Sequence, residues 1–236
     1  MHGRIRLLAL TTACLAAMLP ASAPAGEFKR DPVADVRVPG LKGAQKKALD
    51  IIGIDVTKTM FLSRVIVRFK GNFEREMRSP RLRKAGVLVR LIVDGATDRT
   101  VIASIGSGRG HRVVGAGPGG PGASIRVGRE VHLWVGGLGG NKLAKVEARS
   151  FEGVTARKSA WTNPETQATR LLRLPKADQM AFAPTRPGES QTADCERIKK
   201  IANDLERTAS SEPGVRDVVD AAREFLAGPP CSALLP

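Results

Sequence analysis

The sequence predicts a mainly β protein: an antiparallel β-sandwich of about seven or eight strands, followed by a C-terminal α-helical hairpin that a disulfide closes. Three observations carry this prediction. Short runs alternate apolar and polar residues, with turn residues between them. No amphipathic helical pattern separates those runs, as a βαβ fold would require. Helical spacing arrives only near the C-terminus, where Cys195 and Cys231 bracket it.

Residues 1–25 read as a secretory signal peptide. Arg4 and Arg6 form the basic region, Leu7 to Met18 the apolar region, and the small residues Ala21 to Ala25 the cleavage region. The apolar run is too short to span a bilayer. Cleavage after Ala23 would leave Pro24 first, so the mature start is placed at Gly26, and Cys14 departs with the peptide. Residues 26–45, with Asp31-Pro32, Pro39-Gly40 and Gly43, lack periodicity and read as an extended lead-in.

Residues 46–160 hold the expected strands. Leu49 to Val56 is the first. Phe61 to Lys70 is the clearest, because Val65, Val67 and Phe69 alternate with Arg64, Arg68 and Lys70. In Ala85 to Val93, Leu88 and Ile92 make the second face apolar as well, the pattern of a central strand buried on both sides or of one close to a loop. Asp94-Gly95 ends it with turn chemistry. Thr100 to Ile105, His111 to Val114, Ser124 to Val135 and Leu143 to Phe151 complete the set.

Residues 161–191 become irregular, with Pro164, Pro175, Pro184 and Pro187 as breakers, and a brief helix capped by Asn163 at the start. In residues 192–236, Ile198, Ile201, Ala202 and Leu205 recur at helical spacing, as do Val215, Val218, Val219, Ala222 and Phe225. Ser210, Ser211 and Pro213 lie between them and supply a stop, a cap and a new start. An antiparallel hairpin brings Cys195 and Cys231 together at its open end. As the two mature cysteines of an exported chain they are expected to pair, the alternatives being an intermolecular bridge or free thiols.

Charge divides the chain. The signal peptide takes two arginines and no acid, so 36 cations against 23 acids remain, a formal +13. Residues 26–160 hold 26 bases and 12 acids, whereas residues 191–236 hold 6 bases and 8 acids. One module is therefore basic and the other nearly neutral. Outside a cell a basic surface meets anionic envelope polymers, lipid head groups or released nucleic acid, unless it is simply solvated.

Several chemistries find little support. Val113-Val114-Gly115-Ala116-Gly117-Pro118-Gly119-Gly120 matches the GxGxxG fingerprint, but Pro121 and Gly122 follow and then a strand. No helix can start there to receive a pyrophosphate, so no dinucleotide and no other cofactor is expected. His111 and His132 lack metal-ligand spacing, so no metal is expected either. Asp94 and Asp98 are the available carboxylates for an envelope hydrolase or a calcium loop, yet a hairpin turn explains Asp94-Gly95. There is no GxSxG elbow.

Binding is the better-supported class. Arg75, Arg78, Arg81, Arg83 and Lys84 fall within ten residues between two expected strands, with Glu74 and Glu76 at one edge. Guanidinium groups there can hold phosphates or carboxylates in bidentate fashion. Nucleic acid is disfavoured because the loop offers no aromatic platform. Trp134 is a candidate glycan contact, with burial under the linker or hairpin as the alternative.

The lead-in Asp31-Pro32-Val33-Ala34-Asp35-Val36, the strand opening Leu49-Asp50-Ile51, and the run from Val65 to Glu74 resemble uncharacterised secreted β-sandwich proteins of high-GC, actinobacterial-type bacteria. That resemblance covers the first half of the chain and implies an exported β-rich domain, without an activity. The pattern is also similar to carbohydrate-binding and DOMON-like modules. It lacks the aromatic platform of the first and the His/Met haem pair of the second, since Met60 and Met77 stand far from His132. The expectation is a secreted, non-catalytic protein whose basic domain binds an anionic or glycan component of the envelope. A loop-carboxylate hydrolase and a structural interaction module are the alternatives.

Overall fold

The computed structural model describes residues 27–31, 36, 40–41, 43–82, 85–93, 100–106, 112–116, 121–137, 143–151, 176–184, 190–212 and 214–235, with the backbone alone for residues 81, 100–106, 112–116 and 176. The signal peptide, Asp94, Asp98, His111, Gly117 to Gly120 and the helix expected after Asn163 lie outside the described residues.

The fold is mainly β, in two antiparallel five-stranded sheets, with helices at the C-terminus. The first sheet has the order β1 (Glu27–Arg30), β2 (Ile51–Lys58), β3 (Leu62–Phe69), β8 (Glu130–Gly136), β7 (Gly122–Val127). The second has β10 (Lys176–Phe182), β9 (Leu143–Phe151), β4 (Gly86–Val93), β5 (Thr100–Gly106), β6 (Arg112–Ala116). β4 is thus the middle strand of its sheet.

Four segments differ from the sequence expectation. Ser124 to Val135 is two strands, because Gly128 takes φ +58° and with Arg129 turns β7 back onto β8. A left-handed residue reverses the chain without disturbing the alternation on either side, so the periodicity looked continuous. Leu49 closes the helix α1 (Gly43–Leu49), and β2 begins at Ile51. Glu27 to Arg30, within the expected lead-in, adds β1 to the edge of β2. Lys176 to Phe182, within the expected linker, forms β10 beside β9.

One hydrophobic cluster takes Ile54, Val65, Val67, Val131 and Leu133 from the first sheet and Val87, Val89, Leu91, Val146 and Ala148 from the second. These are the inward residues of alternating strands. Polar links join the sheets as well: the buried Asp178 carboxylate accepts from the Ile51 amide at 2.6 Å, and the Ser150 hydroxyl donates to the Leu49 carbonyl at 2.6 Å.

The C-terminal segment folds as α3 (Gln191–Ala209), α4 (Val215–Ala227) and the short α5 (Cys231–Leu234). Ser190 caps α3 by accepting from the Ala193 amide. Gly214, at φ +80°, precedes α4, and a Cβ there would meet the Gly122 carbonyl at 2.5 Å, so a side chain would push the turn off β7. Cys195 and Cys231 are joined, with Cα atoms 5.6 Å apart. Among the described residues no helix is long and apolar enough to cross a membrane.

The hairpin does not stand apart from the sheets. Its apolar face forms a second cluster with Leu62, Ala123 and Trp134, which point out of the opposite side of the first sheet. Phe61 stacks on Phe225 with ring centroids 4.8 Å apart. Buried Asp194 accepts from the Met60 amide at 3.1 Å, fixing the start of α3 to the β2–β3 turn.

Candidate functional site

Three clusters of charge can be built from the described residues. The first is the arginine-rich segment after β3. It is a short helix α2 (Phe73–Glu76) followed by a 3-10 turn over Pro80–Leu82, rather than an irregular loop. Asn72 starts it by accepting from the Arg75 amide at 2.8 Å, a cap visible in the sequence as Asn-Phe-Glu-Arg. Phe73, Met77 and Leu82 are fully buried and pin the segment to the core. Arg75 pairs with Glu76 at 3.0 Å and Arg78 with Glu74 at 2.7 Å. Glu74 also accepts from the Gly128 amide, which ties the segment to the β7–β8 turn. The side chain of Arg81, and Arg83 and Lys84 entirely, lie outside the described residues.

The second cluster lies on the outward face of the first sheet. Arg68 bridges Asp55 at 3.6 Å and Glu130 at 2.9 Å, and Glu130 meets the His132 ring at 2.7 Å. The Arg68 guanidinium also sits over the exposed Phe28 ring. Burial pushes the Glu130 carboxyl up, but the hydrogen bonds and charges of His132 and Arg68 outweigh it and hold the group below its ordinary value. Arg64, on the same face, donates to the Thr57 hydroxyl at 3.1 Å. Trp134 ends this row, tilted against His132 and only 7% exposed, because the hairpin covers it. The indole is therefore a packing residue at the sheet–hairpin contact.

The third cluster lies on the outward face of the second sheet. β4 and β9 pair so that Arg90 stands directly opposite Glu147, Ile92 opposite Lys145 and Leu88 opposite Arg149. Along β9, Lys145, Glu147 and Arg149 all point outward, by the period of two. Glu147 is nearly buried and has Lys145 at 2.8 Å, Arg90 at 3.6 Å and Arg149 at 4.0 Å. Burial raises its carboxyl, and the Lys145 hydrogen bond with the three positive charges more than reverses that, so it stays ionised below the ordinary carboxylate range. Leu88 is buried at one end of the face, while Lys145 and Arg90 remain partly exposed at the other.

The difference between the clusters is a count of charge. Around α2, Arg75 and Arg78 each have an acid of their own, whereas Arg90 and Lys145 share the single carboxylate of Glu147. Sequence reading weighted arginine density along the chain and so favoured residues 75–84. The third cluster needs the β4–β9 pairing, which joins residues 57 apart in sequence at Arg90 and Glu147. Its local signal was the outward alternation of Lys145, Glu147 and Arg149.

Among the described residues no group of three or more His, Cys, Asp or Glu is placed to hold a metal ion. No family model, curated protein or solved structure matches this chain.

Proposed function

We propose that this is an exported, non-catalytic protein whose basic β-domain, its two sheets packed as a β-sandwich, binds an anionic polymer or anionic glycan of the cell envelope. The observation that carries the reading is the charge imbalance around Glu147. Arg90 and Lys145, both partly exposed, share the one Glu147 carboxylate, which supports a site for a further anion. Lys145 and Arg90 both reach the Glu147 carboxylate, at 2.8 and 3.6 Å, so their positive charges converge on one spot of the face. The arginine-rich segment around α2 adds a second positive region, with Arg75 and Arg78 already engaged by acids.

The test is binding of the purified protein to polyphosphate and to neutral dextran across a series of salt concentrations. The proposal expects polyphosphate binding that weakens steeply with salt, with dextran left unbound. Equal retention by both polymers, or none by either at low salt, would contradict it.

A further inference from the structure

The hairpin carries a groove of about 370 Å³ on the side formed by α3, α4 and α5, lined by Lys199, Ala202, Asn203, Arg223, Leu226 and Ala227, and closed by Ser232 and Leu235. We infer that this groove binds a single-chain carboxylate amphiphile, a free fatty acid of medium length. The inference is independent of the polymer reading, since the groove lies on the helical segment and takes no residue from the second sheet.

The lining divides by chemistry. Ala202, Ala227, Leu226 and Leu235 are apolar, and the two alanines leave open the space that larger side chains would fill. Leu226 and Leu235 are only half-buried, and the neighbouring Leu234 is 37% exposed, so apolar surface is left to water at this end of the hairpin. Two cations come from different helices, Lys199 from α3 and Arg223 from α4, and Asn203 and Ser232 add hydrogen-bonding groups. Glu206 engages Arg223 from outside this lining, which itself holds two cations and no acid.

Size selects among occupants. The volume is at the lower end of the range for small-molecule sites. A docking helix, about 10–12 Å across with its side chains, needs a longer trough. An acyl chain with one carboxylate matches an apolar lining with cations among its polar groups: methylenes against the leucines and alanines, the head group toward Lys199 and Arg223. The disulfide between Cys195 and Cys231 ties the start of α3 to α5, the helix that brings Ser232 to the groove.

The experiment is titration of the purified protein with monomeric hexanoate, octanoate, decanoate and decanol, followed by calorimetry. Binding should be saturable at one site and tighten about fourfold for each added methylene that stays inside the groove. Decanoate should bind about tenfold more tightly than decanol, and Lys199→Ala with Arg223→Ala should abolish that preference. Ala227→Phe, an exposed position that points into the space, should block all four ligands. Ser232→Trp fills the same space from α5 and replaces Ala227→Phe should that variant lose helical signal. Affinity that ignores chain length, unchanged binding by the filled variant, or association with anionic vesicles but not with monomeric decanoate would overturn the inference.

Discussion

The two sheets share strand number and antiparallel pairing, yet their outward faces have opposite fates. The first sheet turns Leu62, Ala123 and Trp134 outward and buries them under the hairpin. The second turns Arg90, Lys145 and Arg149 outward around one carboxylate and leaves Lys145 and Arg90 partly exposed. Alternation fixes which side of a strand a residue takes, and a second element decides whether that side is covered. Apolar outward residues mark the covered face, and charged ones mark the face left for solvent or a partner.

The largest effect should come from breaking the covered face. Trp134→Ala removes a buried indole from the sheet–hairpin contact and should cost about 4 kcal/mol in denaturant unfolding. A cost under about 1 kcal/mol would mean that the hairpin contributes little to holding this sheet. Next is the covalent closure. Replacing Cys195 and Cys231 by serine opens a loop of about 37 residues and should cost about 3 kcal/mol, lost mainly from the helices. Hydrogen exchange resolves this, with faster exchange expected in α3 and α4 than in β4 and β9.

The open face predicts a pH effect. The Glu147 carboxyl is held below its ordinary value by Lys145, Arg90 and Arg149, so its contribution to stability is present in full above about pH 4.5 and is lost as the pH falls through its lower folded value. Glu147→Gln should cost about 1.5 kcal/mol at neutral pH and less in acid, where the wild type is protonated too. Wild type and variant denaturation curves that stay equally separated down to pH 2 would contradict this assignment. The smallest stability effect is expected around α2. Arg75→Ala with Arg78→Ala removes two exposed ion pairs and should change stability by less than about 0.5 kcal/mol.

Much of the fold was legible because it rests on local periodicity. β3, β4 and β9, both long C-terminal helices and the cysteine pairing all follow from residue spacing. What the spacing concealed depends on single residues or distant partners. Gly128 splits one apparent strand by taking a left-handed conformation. β1 and β10 are edge strands in Pro-bearing segments, ordered by pairing with β2 and β9 rather than by their own alternation. The candidate site was least legible, since opposing Arg90 to Glu147 requires the register of two strands far apart in sequence. Trp134 offered two readings, and only the docked hairpin distinguishes them.

The central claim is that the cations around Glu147 on the second sheet are the anion-binding surface. The most direct measurement is the salt dependence of polyphosphate affinity for the wild type, for Arg90→Gln with Lys145→Gln and Arg149→Gln, and for Arg75→Gln with Arg78→Gln, each checked for native folding. The account predicts that the triple variant binds more weakly at low salt and loses about one unit of log–log salt slope per cation removed, while the double variant stays close to wild type. A triple variant with wild-type affinity and slope, or a larger loss in the double variant, would contradict it and return the site to the segment around α2.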